Sequence, residues 1–300
     1  MPQARLQLFC PAKINLALSV GAPSPDRAGL HPIASWMAAV DFGDTLTLTR
    51  TPGPQSTFDL AFSPEGPRPQ SVDWPIEKDL CFRAHRLLEA HTGRPLPVAL
   101  TLGKRVPAGA GMGGGSSDAA FTLTGLKDLF GLGLSDDTLC QLAATLGSDI
   151  PFFIHVARGR PAALVTEVGN CIEPLPPRPA ISLVLVFPPF GTPTGPVYHA
   201  FDQTLSPGQA ADLPRVRALT SQIPLASDAP FNDLADPACH VVPALRQARL
   251  AAQHAARRPV HITGSGSTLF TIATNPHDAQ TLAQTIRADT GLATLPTHTL

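Results

Sequence analysis

The chain has no long apolar run. The longest, Ile181–Phe187, contains Ser182 and falls far short of the ~20 residues that cross a bilayer. An excess of one charge is missing too: 22 Lys and Arg against 23 Asp and Glu leave a net charge of −1. No basic field therefore points to nucleic acid or to an anionic membrane surface. Cysteines are few and scattered, at Cys10, Cys81, Cys140, Cys171 and Cys239. None forms a C-x-x-C pair, which argues against a zinc site, and an odd, unclustered set suits a reducing compartment. Leu6 to Val20 is apolar but broken by Pro11, Lys13 and Asn15, so it does not read as a signal peptide. The expectation is a cytoplasmic protein without membrane or nucleic-acid partners, as a monomer or homodimer.

What is present is core material. Hydrophobic residues make up 43% and charged residues 15% of 300 positions, which excludes wholesale disorder and allows one large domain or two modest ones. The 33 prolines cluster at 52–75, 174–179, 188–196 and 224–230, and these read as loops. Alternation at Thr45–Thr49, Phe58–Phe62 and Val98–Leu102 predicts strands, and Ile181–Phe187 a fully buried one. Helices are expected over Glu77–His91, from the glycines at 109–115 to Phe130, and from a Ser135 cap to Gly147. The last should stop at Gly147 in a left-handed cap. Further helices are expected over Val241–Ala256 and from Asn275-Pro276 to about Ala288, with a strand at Val260–Thr263. The tail after about 290 carries no signal. The mixture is α+β, with a boundary somewhere near 155–180.

The most informative segment is Pro107-Ala108-Gly109-Ala110-Gly111-Met112-Gly113-Gly114-Gly115-Ser116-Ser117. So many glycines sacrifice backbone entropy and imply a geometric need. Between a strand and a helix, such a loop can turn successive amides toward one point and add the positive helix end, an arrangement suited to phosphate. Ser116 and Ser117 could donate hydroxyls to the phosphates or to a magnesium ion. A Walker loop would require Gly-Lys-Ser/Thr, and no lysine stands there. A dinucleotide fingerprint is formally present, but residues 128–138 form no second strand ending in an acid. The G-x-S-x-G of an acyl-transfer elbow is absent from the loop.

The segment 107–120 resembles the phosphate-binding motif of the GHMP small-molecule kinases. The opening Pro11-Ala12-Lys13-Ile14-Asn15-Leu16-Ala17-Leu18 and the stretch Gly147-Ser148-Asp149-Ile150-Pro151-Phe152-Phe153 are similar to that superfamily's branch acting on a cytidine-diphosphate-linked methylerythritol. Val168-Gly169, Asn232-Asp233-Leu234 and Thr263-Gly264-Ser265-Gly266-Ser267 follow in the same order. The resemblance runs from residue 11 to about 270. It implies a two-domain α+β fold with its active site in the inter-domain cleft, an ATP-binding domain over 1–156 and a second domain over 157–300. It also implies transfer of the γ-phosphate of ATP, with Mg²⁺, to the C2 hydroxyl of that small-molecule substrate, a step toward isoprenoid precursors. Other acceptors in the superfamily, mevalonate or a sugar, or its decarboxylase branch, are the alternatives.

By the same resemblance Asp149 is the catalytic base and Lys13 the cation beside it. Residues 107–117 and Asp79 bind ATP, and Asn15, His31, Thr194 and Tyr198 bind the substrate; no protein-held metal is implied. A tertiary alcohol is a poor nucleophile, so a carboxylate that takes its proton makes chemical sense. Tyr198, the only tyrosine, would lay its ring on the cytosine. Two positions depart from the family pattern, and a third, Asp118, lies within it. Leu30 stands where tyrosine is usual, Asp79 where asparagine is usual, and Asp118 where either Asn or Asp occurs.

Overall fold

The computed structural model describes residues 4–23, 29–206 and 208–300. Along the chain run β1 (Arg5–Val20), β2 (Ile33–Arg50), β3 (Thr57–Phe62), a 3₁₀ turn (Ile76–Lys78), α1 (Leu80–Thr92) and β4 (Val98–Lys104). Then follow α2 (Gly114–Phe130), α3 (Asp136–Leu146), α4 (Ile150–Ala157), β5 (Ala162–Glu167), β6 (Cys171–Pro174) and β7 (Ser182–Phe187). The remainder is α5 (Thr194–Asp202), α6 (Leu213–Thr220), β8 (Phe231–Asn232), α7 (Ala235–Val241), α8 (Pro243–Ala256), β9 (His261–Ile262), β10 (Leu269–Ile272), α9 (Pro276–Thr290) and β11 (Ala293–His298). The fold is mixed α+β, as the sequence implies. None of the helices described is long and apolar enough to cross a membrane.

Two compact units emerge. The first comprises Met1–Ala12, Phe42–Pro107 and Gly113–Arg160, and the second Lys13–Asp41, Ala108–Met112 and Pro161–Leu300. In the first, the end of β2 pairs antiparallel with β4, from Thr45 opposite Gly103 to Arg50 opposite Val98, and β3 lies parallel on the other edge of β4. Leu46, Leu48, Leu100 and Leu102 are the inward positions of these alternating strands, and all are buried. Helix α2 packs against α1 and α4 and buries every residue from Ser117 to Leu126 except Phe121. Gly125 lets it approach: a Cβ there would lie 2.6 Å from Leu48 Cδ1 and 2.8 Å from Leu8 Cδ1.

In the second unit, β7 is the buried centre of a four-stranded sheet ordered β11-β7-β10-β9, antiparallel throughout. Leu183 to Val186 are fully buried, which accounts for their unbroken apolar run. Helices α8 and α9 pack on each other, and α9 lies on β7. The first half of β2 pairs with β5, β5 with β6, and the end of β1 runs parallel to β8.

Local chemistry explains the element ends. Ser135 caps α3 by accepting from the Thr138 amide, and Asn275 caps α9 by accepting from the Asp278 amide. Gly147 does terminate α3, but with φ 178° and ψ 151° rather than in the left-handed region expected for it. That is extended backbone, and the chain turns directly into α4. The helix expected from Val241 begins at Pro243 instead. Val242 is held at φ −126° and ψ 86° because the residue before proline is pushed out of the α region. A separate helix, α7, ends at Val241. The proline-rich 188–196 stretch is loop only to Pro193, after which α5 starts. The tail forms β11, recruited by pairing with β7 from Ala293 opposite Phe187 to His298 opposite Ser182.

Gly43 marks the tightest backbone approach in the first unit: a Cβ there would meet the Cys10 carbonyl oxygen at 2.2 Å. Gly43→Ala is expected to destabilise the chain by at least about 1–3 kcal/mol. A urea denaturation midpoint equal to that of the parent would contradict this.

Candidate functional site

Strand β4 delivers the chain into the glycine segment, and one buried ion cluster fixes how it arrives. Lys104 Nζ donates to Asp44 Oδ2 at 2.8 Å and to Asp118 Oδ2 at 2.5 Å, with all three side chains 5% exposed or less. Asp44 Oδ1 in turn accepts the backbone amides of Arg105 and Val106, at 2.5 and 2.7 Å. Asp118 lies in the second turn of α2, so the lysine ties the strand end to the helix that the loop opens. Burial pulls the Lys104 ammonium down, but the two carboxylates outweigh it and its pKa rises. Burial, against the opposing pull of Lys104, pushes the Asp118 carboxyl well above the usual range, and its Oδ1 is buried without a partner among the described residues. One cation thus faces two acids.

The backbone of the segment alternates. Gly109, Gly111 and Gly113 have φ of +65°, +73° and +69°, conformations that side chains resist. Its first part belongs to the second unit and is held there through its carbonyls. The Thr192 and Ser267 amides donate to Gly109 O, the Thr268 amide to Ala110 O and the Lys13 amide to Met112 O. The Thr263 hydroxyl donates to Gly111 O. Gly111 admits no side chain, since a Cβ would fall 2.4 Å from Thr263 O. With carbonyls drawn off in this way, the amides from Gly109 to Ser116 meet no acceptor among the described residues. Ser117 Oγ is buried and also lacks one. Pro107, Ala110 and Met112 are buried, whereas Ala108, Gly109 and Gly115 face solvent and Ser116 is half-buried. Gly114 has a packing reason as well: a Cβ there would press to 2.8 Å on Val106.

Lys13 and Asn15 come together on β1. Lys13 is 4% exposed, and its Nζ donates to Asn15 Oδ1 at 2.7 Å. Asn15 is itself locked, donating its amide to Ser35 Oγ and its backbone N–H to Thr263 Oγ1. Most of the hydrogen-bonding capacity of Asn15 therefore goes to orienting Lys13. At Gly264 a Cβ would press to 3.0 Å on the Gly111 carbonyl oxygen. Asp149, in the first unit, is half-buried at the N-cap of α4, yet its carboxylate makes no capping bond.

Asp79 does cap. Its Oδ1 accepts the Cys81 amide at 2.8 Å and its Oδ2 the Trp74 indole N–H at 3.0 Å. Both are acceptor roles, which explains why a carboxylate can stand there in place of an amide. On α5, Thr194 is exposed and its hydroxyl shares a hydrogen bond with Ser265 at 2.9 Å. Tyr198 packs its ring 4.9 Å from that of His31. Leu30 is 55% exposed. Sequence reasoning missed Lys104 and Asp44 altogether, although the inward alternation Val98, Leu100, Leu102 points on to Lys104. No group of three His, Cys, Asp or Glu that could hold a metal occurs among the described residues.

Lys104→Met leaves a buried carboxylate uncompensated and is expected to destabilise the chain by about 3–5 kcal/mol. Asp118→Asn keeps an acceptor oxygen for Lys104 and leaves Asp44 as its counter-ion, so it should lose less. Equal losses in chemical denaturation would contradict this account of the cluster.

Residues 79–156 match the family model described as the GHMP kinases N terminal domain. A curated 4-diphosphocytidyl-2-C-methyl-D-erythritol kinase from Caulobacter vibrioides (strain NA1000 / CB15N) is 37% identical over 295 residues, covering 95% of this chain and 97% of its own. Among solved structures, a 4-(cytidine 5'-diphospho)-2C-methyl-D-erythritol kinase superposes with a TM-score of 0.75 at 31% identity, over 98% of this chain and 99% of that one. A homoserine kinase from Cytophaga hutchinsonii reaches a TM-score of 0.71 at 16% identity, over 100% and 96%. That last likeness concerns the fold alone.

Proposed function

This chain belongs to the 4-diphosphocytidyl-2-C-methyl-D-erythritol kinases of the GHMP superfamily, and we propose that it phosphorylates the C2 hydroxyl of that substrate with Asp149 as base and Lys13 as its cationic partner. The observation that carries the nucleotide half is the glycine segment. Its carbonyls from Gly109 to Met112 are engaged, its amides from Gly109 to Ser116 meet no acceptor among the described residues, and Ser117 offers a buried hydroxyl with no partner among them. Such an array fits the phosphates of ATP, with the helix end of α2 adding positive potential. Asp79, at the start of α1, belongs to the nucleotide end of the site on this reading.

Mg²⁺ would travel with the ATP phosphates and offset their charge, with Ser116 and Ser117 as hydroxyl neighbours.

Asp149 accepts the hydroxyl proton as the new oxygen–phosphorus bond forms and the bond to the β-phosphate oxygen breaks, releasing ADP. A carboxylate committed to capping α4 would be a poorer base, and that of Asp149 is not so committed. Lys13, oriented by Asn15, is the cation that offsets charge developing on the transferring group. His31, Tyr198 and Thr194 take the cytidine side. Five free cysteines, three of them buried, suit a cytoplasmic setting.

ADP release with Mg-ATP and a panel of cytidine-diphosphate methylerythritol, mevalonate, homoserine and galactose tests the acceptor. Turnover confined to the cytidine compound is expected, and turnover with another acceptor contradicts it. Asp149→Asn should lower kcat by about 10²–10⁴-fold, the range for loss of a positioned base, while the affinity for ATP stays within about twofold. Parent-like turnover would remove Asp149 from the role.

A further inference from the structure

His31 lies against two acceptors at once. Its Nδ1 is 2.9 Å from the Gly21 carbonyl oxygen, which can only accept, so Nδ1 carries a hydrogen. Its Nε2 is 3.3 Å from Asp202 Oδ1. That carboxylate oxygen is buried and has no hydrogen bond among the described residues. The Asp202 side chain as a whole is nevertheless 32% exposed, so its outer oxygen, Oδ2, is the one open to a ligand. The His31 side chain, at 9%, is mostly covered.

Helix α5 arranges this. Asp202 is its last residue and Tyr198 stands one turn earlier, at the i, i+4 spacing that puts both on one face. The Tyr198 ring is tilted 42° to that of His31, and Phe201 closes the other side with its ring edge-on at 6.1 Å. An aromatic surface and an outward carboxylate oxygen thus share one helix face beside the histidine.

A carboxylate only accepts. Cytosine offers a donor, its exocyclic amino group, next to the N3 acceptor, and uracil reverses both groups. Against uracil the carboxylate would face a carbonyl oxygen, leaving two acceptors opposed.

We propose that Asp202 selects the base: its outer oxygen accepts the exocyclic amino hydrogen of a cytosine lying on Tyr198. The proposal rests on the reading of His31 and Tyr198 as the cytidine side of the substrate site. It adds a specificity-determining residue at the end of α5 that no sequence motif singles out. The contact is non-covalent and no proton leaves the base.

The test is calorimetric titration of the intact chain with CDP and with UDP, the ATP site being saturated with a non-hydrolysable ATP analogue. The parent should prefer CDP by at least about tenfold, within the range for one well-formed base contact. Asp202→Asn is nearly isosteric and can turn either its oxygen or its amide nitrogen to the base, so its preference should fall about fivefold or more through weaker CDP binding. A parent without preference, an unchanged preference in Asp202→Asn, or an equal loss of both ligands would overturn the assignment, the last by indicating a merely structural role. Turnover of the cytidine acceptor by the parent is scored separately. A CDP preference without that turnover defeats the proposed reaction and leaves base selection standing. Turnover with full CDP preference retained in Asp202→Asn does the opposite.

Discussion

A lysine ammonium taken almost wholly out of water must be met by negative charge, and at Lys104 that requirement orders the first unit around the glycine segment. Asp44 meets it from β2 and Asp118 from α2, and Asp44 uses its second oxygen on the two amides that lead into the loop. The cluster ties together two strands, a helix and the loop's approach in one set of charge-assisted bonds. Such clusters contribute little net stability compared with a well-packed apolar replacement, yet breaking one is severe. Its value here is geometric, because it fixes where α2 begins and therefore where the helix amides point.

The second part of the arrangement is a division of labour along one stretch of backbone. Carbonyl groups from Gly109 to Met112 are bound by donors of the second unit, and positive φ at alternate glycines makes that orientation possible. The amides are what remains for a ligand. Lys13 enters the same network through its own amide on Met112 O, so the proposed cationic partner and the proposed phosphate cradle are positioned together. Asn15, expected to meet substrate, is bonded to Lys13, Ser35 and Thr263.

Local rules made some features legible in the sequence. Ser135 and Asn275 announce helices because a short side-chain acceptor satisfies amides that no helix can satisfy for itself. Leu46 and Leu48, or Leu100 and Leu102, announce strands because pleating sends alternate side chains inward. What escaped is long-range. The tail reads as featureless because β11 depends on pairing with β7, more than a hundred residues earlier. Lys104 and Asp44 are separated by 60 residues, and only the register that sets Thr45 opposite Gly103 reveals them as neighbours. Gly147 ends its helix without the left-handed turn expected because the following proline-containing helix sets the exit direction. Of the candidate site, the glycine segment and Lys13 were legible through motif resemblance. Asp202 was not, because its partner His31 lies 171 positions away on another element.

The central claim is that the unengaged amides of the glycine segment receive the phosphates of ATP. Backbone amide resonances of the isotopically labelled chain, followed as a non-hydrolysable ATP analogue is added with magnesium, test it most directly. The account predicts the largest shifts, and slowed hydrogen exchange, at the amides from Gly109 to Ser116, with smaller changes at the start of α1. Saturation by the analogue with those amides unmoved, and the perturbations gathered elsewhere, would contradict it.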